Sequence, residues 1–348
     1  MSSSAAETAR AWVLAKRPRR AAPEASAFAL RRVPLKAPAE QEVQIDVACF
    51  SLDPGMRPRL THASYLPALK LGDVIEASGI GTVRASRSPH FARGDWVMGG
   101  FGWCEALTLP QRRVQKLAPH LFGKALPRHT AIGVLGVSGL TAYLGLRKHA
   151  ALGADATLLI SSAAGAVGTT AGQVARLLQP GVRVVGITSR GKAAALRRVG
   201  FDEVVIHSGK SPQQFARALT AACPDGVDVY FDNVGGSMLN SVLAQMRRGG
   251  RIIACGAVSQ YHTAAPEPMR DSLRFITHRL QMTGFVVYDY AKEFPAAQTQ
   301  LAQWIKSKRL HYDETVIDGI EHAPRRYAEV LQGKHTGRSL IRVLPEGG

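Results

Sequence analysis

The sequence is short of cysteine, of aromatics, of carboxylates to balance its cations, and of long apolar runs. Its four cysteines, Cys49, Cys104, Cys223 and Cys255, are scattered, with no C-x-x-C pair and no histidines at ligand spacing. That pattern argues against a disulfide framework and against a structural metal site. No apolar segment approaches the roughly 20 residues needed to span a bilayer. The first stretch, MSSSAAETARAWVLAKRPRR, has no sustained apolar segment of the secretory kind. The expectation is a cytoplasmic protein with no membrane partner. Acidic residues number 26 against 44 Lys and Arg, a formal net charge of +18, which invites a nucleic-acid reading. The cations, however, are spread along the whole chain and the aromatics amount to 7%, so no nucleic-acid partner is expected. Such a field still draws anionic cofactors and substrates.

What is present is 348 residues, enough for two domains that each bury a core. The first 130 or so residues carry short β-like segments, EVQIDVACF, VIEASGIGTV, DWVMGG and EALTLP, separated by Gly, Pro and charged turns. They predict a β-rich domain. From about residue 138 short apolar strands alternate with amphipathic helices: GLTAYLGLRKHAAL, ATLLIS, AVGTTAGQVARLLQ, VRVVGIT, KAAALRRVG, EVVI, SPQQFARALTAAC, VDVYFDN, SMLNSVLAQMR, RIIACGA, QMTGFVVYD and EFPAAQTQLAQWIKSKR. Alternation of this kind predicts βαβ units in a doubly wound parallel sheet. The tail returns to β-like ETVIDGI and RSLIRVL around the helix HAPRRYAEVLQ. The domain assignment is therefore 1–133 with 310–348, and 134–309.

Between the first strand of the α/β half and its helix lies SSAAGAVGTTAGQ, residues 161–173. The first glycine of G-x-G-x-x-G is absent; Ala163 stands there, followed by Gly165 and Gly168. At that place Gly165, Ala166, Val167 and Gly168 offer backbone N–H groups and the positive end of a helix dipole to a pyrophosphate. Gly165 lets the backbone approach the phosphates and Gly168 lets the helix pack on the strand. About 20 residues further on, an NAD site needs a carboxylate for the adenosine ribose. The second strand ends instead in VVGITSRGK, with Thr188, Ser189, Arg190 and Lys192 and no carboxylate before Asp202. Cations there suit a 2′-phosphate, so the cofactor expected is NADP(H).

The stretches LDPGMRPRL (52–60), GVSGLTAYLGL (136–146), SAAGAVGTTAGQVARL (162–177), PDGVDVYFDNVGG (224–236), GRIIACGAVSQY (250–261) and GFVVYDY (284–290) run in order across nearly the whole chain. Together they resemble the zinc-independent medium-chain dehydrogenase/reductases, in the leukotriene dehydrogenase/prostaglandin reductase branch that includes double-bond and curcumin-type reductases. The resemblance implies a GroES-like β domain joined to a Rossmann domain, with the active site in the cleft between them, and a homodimer. Members commonly have Ala at the first glycine position. It places the pyrophosphate on Gly165–Gly168, the 2′-phosphate on Lys192 and Asn233 near the ribose. Cys255, Gly256, Ala257, Val258, Ser259, Gln260 and Tyr261 form the loop beside the nicotinamide half. Phe285, Val286 and Val287 line its carboxamide side, and Thr141, opening the helix after SGL, approaches the nicotinamide.

The chain departs from that pattern in places. His207 replaces a tyrosine against the adenosine phosphate, Thr336 a C-terminal asparagine, and Gly55, beside Met56, an aromatic wall of the substrate pocket. Zinc enzymes of this architecture carry a G-H-E ligand motif, whereas DVIEASG has Ile75 at the histidine position, and carbon cannot ligate zinc. The expected chemistry is reduction of a polarised C=C bond in an α,β-unsaturated ketone or aldehyde. Hydride goes to the β-carbon, and Tyr261 is the hydrogen-bond donor to the developing enolate oxygen; Tyr65 lines the pocket. The alternatives are an NADPH quinone oxidoreductase on the same scaffold and a non-catalytic NADPH-binding protein that binds RNA.

Overall fold

The computed structural model describes residues 7–263 and 265–344. The first segment supplies strands β1 (Thr8–Leu14), β2 (Phe28–Pro34), β3 (Glu42–Ser51), β4 (Ser78–Ser86), β5 (Trp96–Gly100), β6 (Ala106–Pro110) and β7 (Val114–Lys116). The middle alternates α1 (Val137–His149), β8 (Thr157–Ile160), α2 (Ala166–Leu178), β9 (Arg183–Thr188), α3 (Ala193–Arg198), β10 (Glu203–Ile206), α4 (Pro212–Ala222), β11 (Val227–Asp232), α5 (Gly236–Leu243), β12 (Met246–Ala254), α6 (Leu273–Thr277), β13 (Gln281–Gly284) and α7 (Phe294–Lys306). The tail adds β14 (Glu314–Asp318), α8 (Ala323–Leu331) and β15 (Arg338–Arg342).

The chain forms two compact units, one of residues up to Ile132 together with those from Glu314 onward, the other Gly133–Asp313. Gly133 and residues 310–313 therefore belong to the α/β unit, a shift from the expected boundaries at 133/134 and 309/310. Side-chain hydrogen bonds explain the second shift: His311 N donates to Gln173 Oε1 at 2.8 Å and Gln173 Nε2 donates to His311 O at 2.9 Å. They tie that segment to α2, and Leu310 is buried.

In the β-rich unit the main sheet runs β14-β15-β3-β4-β5-β7, with β6 paired to β3. The β14/β15 pair is parallel and the other pairs antiparallel. Its core centres on buried Trp103, whose ring lies 5.4–6.1 Å, centroid to centroid, from Phe28, Tyr327 and Phe50. The antiparallel β1–β2 hairpin is absent from the expected elements. Its signal was there: Ala9, Ala11 and Val13 point inward at period two.

The α/β unit holds a six-stranded parallel sheet in the order β10-β9-β8-β11-β12-β13. That is the doubly wound order, with its topological switch point between β8 and β11. All four residues of β8 are buried, as helices on both faces require. Three local expectations are corrected. The pairing of β13 with β12 ends at Gly284, and Val287–Glu293 is a 3-10 helix rather than strand. Phe285 turns inward, so that a Cβ added at Gly145 of α1 would lie 2.7 Å from its ring. Met246 belongs to β12 rather than to the preceding helix, because it pairs with Val227. α1 begins at Val137, so Thr141 sits in its second turn and does not open it.

Candidate cofactor and active site

The glycine turn leaves β8 through Ser162, which takes the left-handed conformation at φ 50°. Ala163 follows, its N–H donating to Ile187 O at 2.9 Å, so a side chain is tolerated where the first glycine is missing. A Cβ at Gly168 would lie 2.6 Å from Ser162 O and 2.7 Å from Ala163 Cα, so only glycine fits this approach of helix to turn. Gly165 is the N-cap of α2 and makes no side-chain capping bond. By contrast, Ser211 caps α4 in a reciprocal box with Gln214. One helix start is thus closed by its own sequence, and the other presents Ala166, Val167 and Gly168 at an uncapped end of the kind that takes an anion.

At the end of β9, Thr188 is buried, Ser189 half-buried and Arg190 exposed. Lys192, the N-cap of α3, is half-buried, and burial holds its ammonium below the usual lysine range. His207 follows β10, its N–H donating to Thr188 O at 3.1 Å. Desolvation first, and the Lys192 charge second, hold His207 below the ordinary histidine range. The Lys192 charge and the His207 ring are thereby brought together beside the β9 terminus, and an anion between them would favour the protonated form of each.

Across the switch point the structure reveals a hub that the sequence reading did not single out. Asp232 Oδ1 accepts hydrogen bonds from Ser161 Oγ at 3.0 Å, Tyr230 OH at 2.8 Å, Val234 N at 2.9 Å and Gly235 N at 3.0 Å. Ser161 Oγ accepts from Asn233 N at 2.8 Å, and the Asn233 side-chain amide donates to Ser161 O at 2.8 Å. Burial and the adjacent Asp232 push the Tyr230 phenol well above its usual range, so it stays protonated as a donor. A strand ending in aspartate before N-x-G-G was the signal available. Asn233, expected near the ribose, has its side-chain amide nitrogen engaged in this framework.

The hub also fixes the loop after β12. Cys255 N and Gly256 N donate to Asp232 O, Val258 N to Asn233 O and Ser259 N to Val234 O, at 2.9–3.3 Å. Ser259 Oγ donates to Val234 O at 2.7 Å, and Gln260 Oε1 accepts from Glu267 N at 2.8 Å. Tyr261 closes the loop on itself, its phenol oxygen accepting from Ala257 N at 3.3 Å. Cys255 is a different matter: desolvation and Asp232 push its thiol up to about 12, so it stays a thiol rather than a nucleophilic thiolate.

Other assigned residues stand as follows. Thr141 is buried in α1, Val286 is half-buried and Val287 buried. The half-buried Phe285 ring lies against α1, 5.3 Å from the His149 ring. Gly55, Met56, Tyr65 and Thr336 lie in the β-rich unit. Met56 is buried in that unit's hydrophobic cluster with Leu52 and Leu60. A Cβ at Gly55 would meet nothing within 4 Å. Tyr65 is 65% exposed, Thr336 is in the turn before β15, and Ile75 is fully buried. Among the described residues no group of three His, Cys, Asp or Glu side chains is placed to hold a metal. No helix among them is long and apolar enough to cross a membrane.

Comparison with known proteins agrees with this architecture. A family model described as the N-terminal domain of oxidoreductase matches residues 10–117, and one described as zinc-binding dehydrogenase matches residues 166–304. The second match lies in the α/β unit and does not include Ile75. The chain is 34% identical to the NADPH-dependent curcumin reductase of Escherichia coli, over 96% of each chain. It is 35% identical to the 2-alkenal reductase (NADP(+)-dependent) of Nicotiana tabacum, over 90% of this chain and 91% of that one. The crystal structure of CurA in complex with NADPH from Vibrio vulnificus superposes with a TM-score of 0.87 at 32% identity, covering 97% of this chain and 99% of that one. The chain belongs to the zinc-independent medium-chain dehydrogenase/reductases, in the branch of the curcumin, prostaglandin and 2-alkenal reductases.

Proposed function

We propose that the protein is an NADPH-dependent reductase of the carbon–carbon double bond of α,β-unsaturated ketones and aldehydes. The observation that carries this reading is the uncapped start of α2 at the switch point of a parallel sheet, with Lys192 and His207 beside the next strand end. Relatives named for NADPH and for 2-alkenals support it. The site fits the cofactor, because the start of α2 is left without a side-chain cap behind a turn that Gly168 packs closely and the cations answer a 2′-phosphate.

Ala166, Val167 and Gly168 would hold the pyrophosphate, Lys192 and His207 the 2′-phosphate, with Ser189 and Arg190 at its rim. NADPH, when bound, supplies the hydride. The chain's own task is to stabilise the charge that develops on the substrate's carbonyl oxygen. Tyr261 stands at the carboxyl edge of β12, where ligands of open α/β sheets bind, on a loop anchored to Asp232, Asn233 and Val234. A phenol held there donates to an enolate oxygen without reorganising during the reaction. In this reading Gly55 and Tyr65 line the substrate's side and Gly256–Gln260 the nicotinamide half.

Supplying NADPH with a panel of enones, enals and quinones tests the proposal, with the saturated carbonyl product identified. Enone-dependent NADPH consumption is expected. Turnover of quinones alone would overturn it in favour of a quinone oxidoreductase, and RNA binding without any turnover would favour a binding protein. A homodimer and a cytoplasmic location belong to the same proposal. Support for the dimer comes from β13, an edge strand whose residues Gln281–Gly284 are all exposed, near α6 with Leu273 62% and Ile276 74% exposed. Unpaired edges of this kind take another strand. Light scattering giving twice the 37.4 kDa chain mass is expected; a monomer at micromolar concentration would remove the dimer. Fractionation of cells tests the location.

A further inference from the structure

The loop joining β1 to β2 carries four cations in five residues, Lys16-Arg17-Pro18-Arg19-Arg20. With Glu24 these residues line a cavity of about 650 Å³. The loop is clamped from below. Arg17 Nη1 donates to Leu60 O at 2.9 Å, and Arg57 donates to Ala21 O at 3.0 Å and Arg20 O at 2.6 Å. Arg57 is 1% exposed, and among the described residues no carboxylate forms an ion pair with it. Its remaining hydrogen bond goes to Thr61 Oγ1 at 3.4 Å, and Tyr327 and Glu24 are near enough to act on its charge. Burial holds its guanidinium below the usual arginine range. A buried cation with only neutral acceptors is costly unless a counter-charge stands nearby. The one lining carboxylate, Glu24, lies 3.7 Å from Arg20 in an exposed pair, leaving one negative charge to face Lys16, Arg17, Arg19, Arg20 and Arg57.

We infer that this cavity is a binding site for a phosphate- or carboxylate-bearing small molecule, with Lys16, Arg19 and Arg20 as its ligands and Arg57 as the charge beneath it. Guanidinium forks bind such groups bidentately, and the exposure of Lys16, Arg19 and Arg20 keeps them available. Arg57 also belongs to the segment that carries Gly55, beside which the side-chain position is open. The anion is therefore either a tail of the substrate or a separate small molecule.

The test uses the NADPH-saturated protein, so that the cofactor site is filled, and titrates it with inorganic pyrophosphate at low salt by calorimetry. Saturable binding is expected, weakened about tenfold or more in the double variant Arg19→Ala/Arg20→Ala and weakened by added salt in the wild type. The double variant keeps the main-chain carbonyls that Arg57 grips, and its NADPH affinity should equal that of the wild type. No saturable binding, or equal pyrophosphate affinity in wild type and variant, would overturn the inference. A second arm, which rests on the reductase reading, compares kcat/KM for two enones differing only in a terminal phosphate or hydroxyl. A phosphate preference that falls in the double variant assigns the site to the substrate tail. Equal kcat/KM for the pair, with pyrophosphate binding intact, assigns it to a separate small molecule. The calorimetric arm needs no turnover, so failure of the reductase reading leaves it standing.

Discussion

In the α/β unit a Cβ added at Gly168 would lie 2.6 Å from a carbonyl oxygen, whereas in the β-rich unit one added at Gly55 would meet nothing within 4 Å. Around Gly168 the candidate cofactor residues are locked. The turn at Ser162 packs on the helix, Asp232 gathers four donors, and the Tyr261 loop hangs from the same strand end. Around Gly55 the substrate candidates are open, with Tyr65 in solvent and a basic loop lining a cavity. The cofactor is a fixed molecule, and its pocket can be built from backbone contacts that allow no extra atom. The substrate side is left to side chains that can be exchanged at little cost to the fold.

The contrast predicts large effects in the locked region and small ones in the open region. The largest is expected for Tyr261→Phe, which keeps shape and removes the donor. Both kcat and kcat/KM should fall together, roughly 10- to 1,000-fold, with NADPH affinity unchanged. Wild-type turnover would make the phenol a packing group. Next is Gly168→Ala. Overpacking against the Ser162 carbonyl should cost about 1–3 kcal/mol of stability, read as a lower Tm, and NADPH binding should weaken. A variant as stable as wild type would break the comparison, since the locked turn would then yield as the open one does.

Lys192→Ala should weaken NADPH binding roughly tenfold and leave NADH nearly unaffected; equal losses would assign Lys192 to structure. A smaller effect attaches to His207. Its value is held below the ordinary histidine value of about 6.5, so it is neutral at pH 8 and gains a proton only as pH falls below that value. Binding of NADPH should therefore tighten through that window relative to His207→Gln, whose profile carries the cofactor's own titration. Parallel profiles would remove His207 from the site. The same shift means that the folded state binds fewer protons than the unfolded one. The ligand-free protein should lose stability as pH falls from the ordinary histidine range through the lowered one. The smallest change is expected for Gly55→Ala, within about 0.5 kcal/mol of wild type; a drop matching that of Gly168→Ala would erase the distinction between the regions.

Much of the α/β unit was legible because each strand and helix carries its own period, and because a missing carboxylate after VVGIT is a local fact. The β1–β2 hairpin is harder to read, because a 13-residue connection with four cations separates strands that pair residue for residue only in the fold. The 3-10 helix at Val287–Glu293 was misread because VVY suits a strand until pairing with β12 stops at Gly284. Met56 packs in a hydrophobic core and the half-buried Phe285 ring lies against α1, which the sequence could not give, since position along a chain does not say which way a side chain points.

By itself, then, the sequence determined the alternation that makes a doubly wound sheet, the glycine turn with Ala163 in its first place, and the run of cations without a carboxylate after VVGIT. These are matters of period, residue size and charge within a few neighbours. Only the tertiary structure decided that Ser161, Tyr230, Asp232 and Asn233 form one hub, that Lys192 and His207 share a neighbourhood, and that buried Arg57 clamps a basic loop some 37 residues away along the chain. Hydrogen bonds and charges act through space over a few ångströms, and the chain separation of the groups they join is set by the fold.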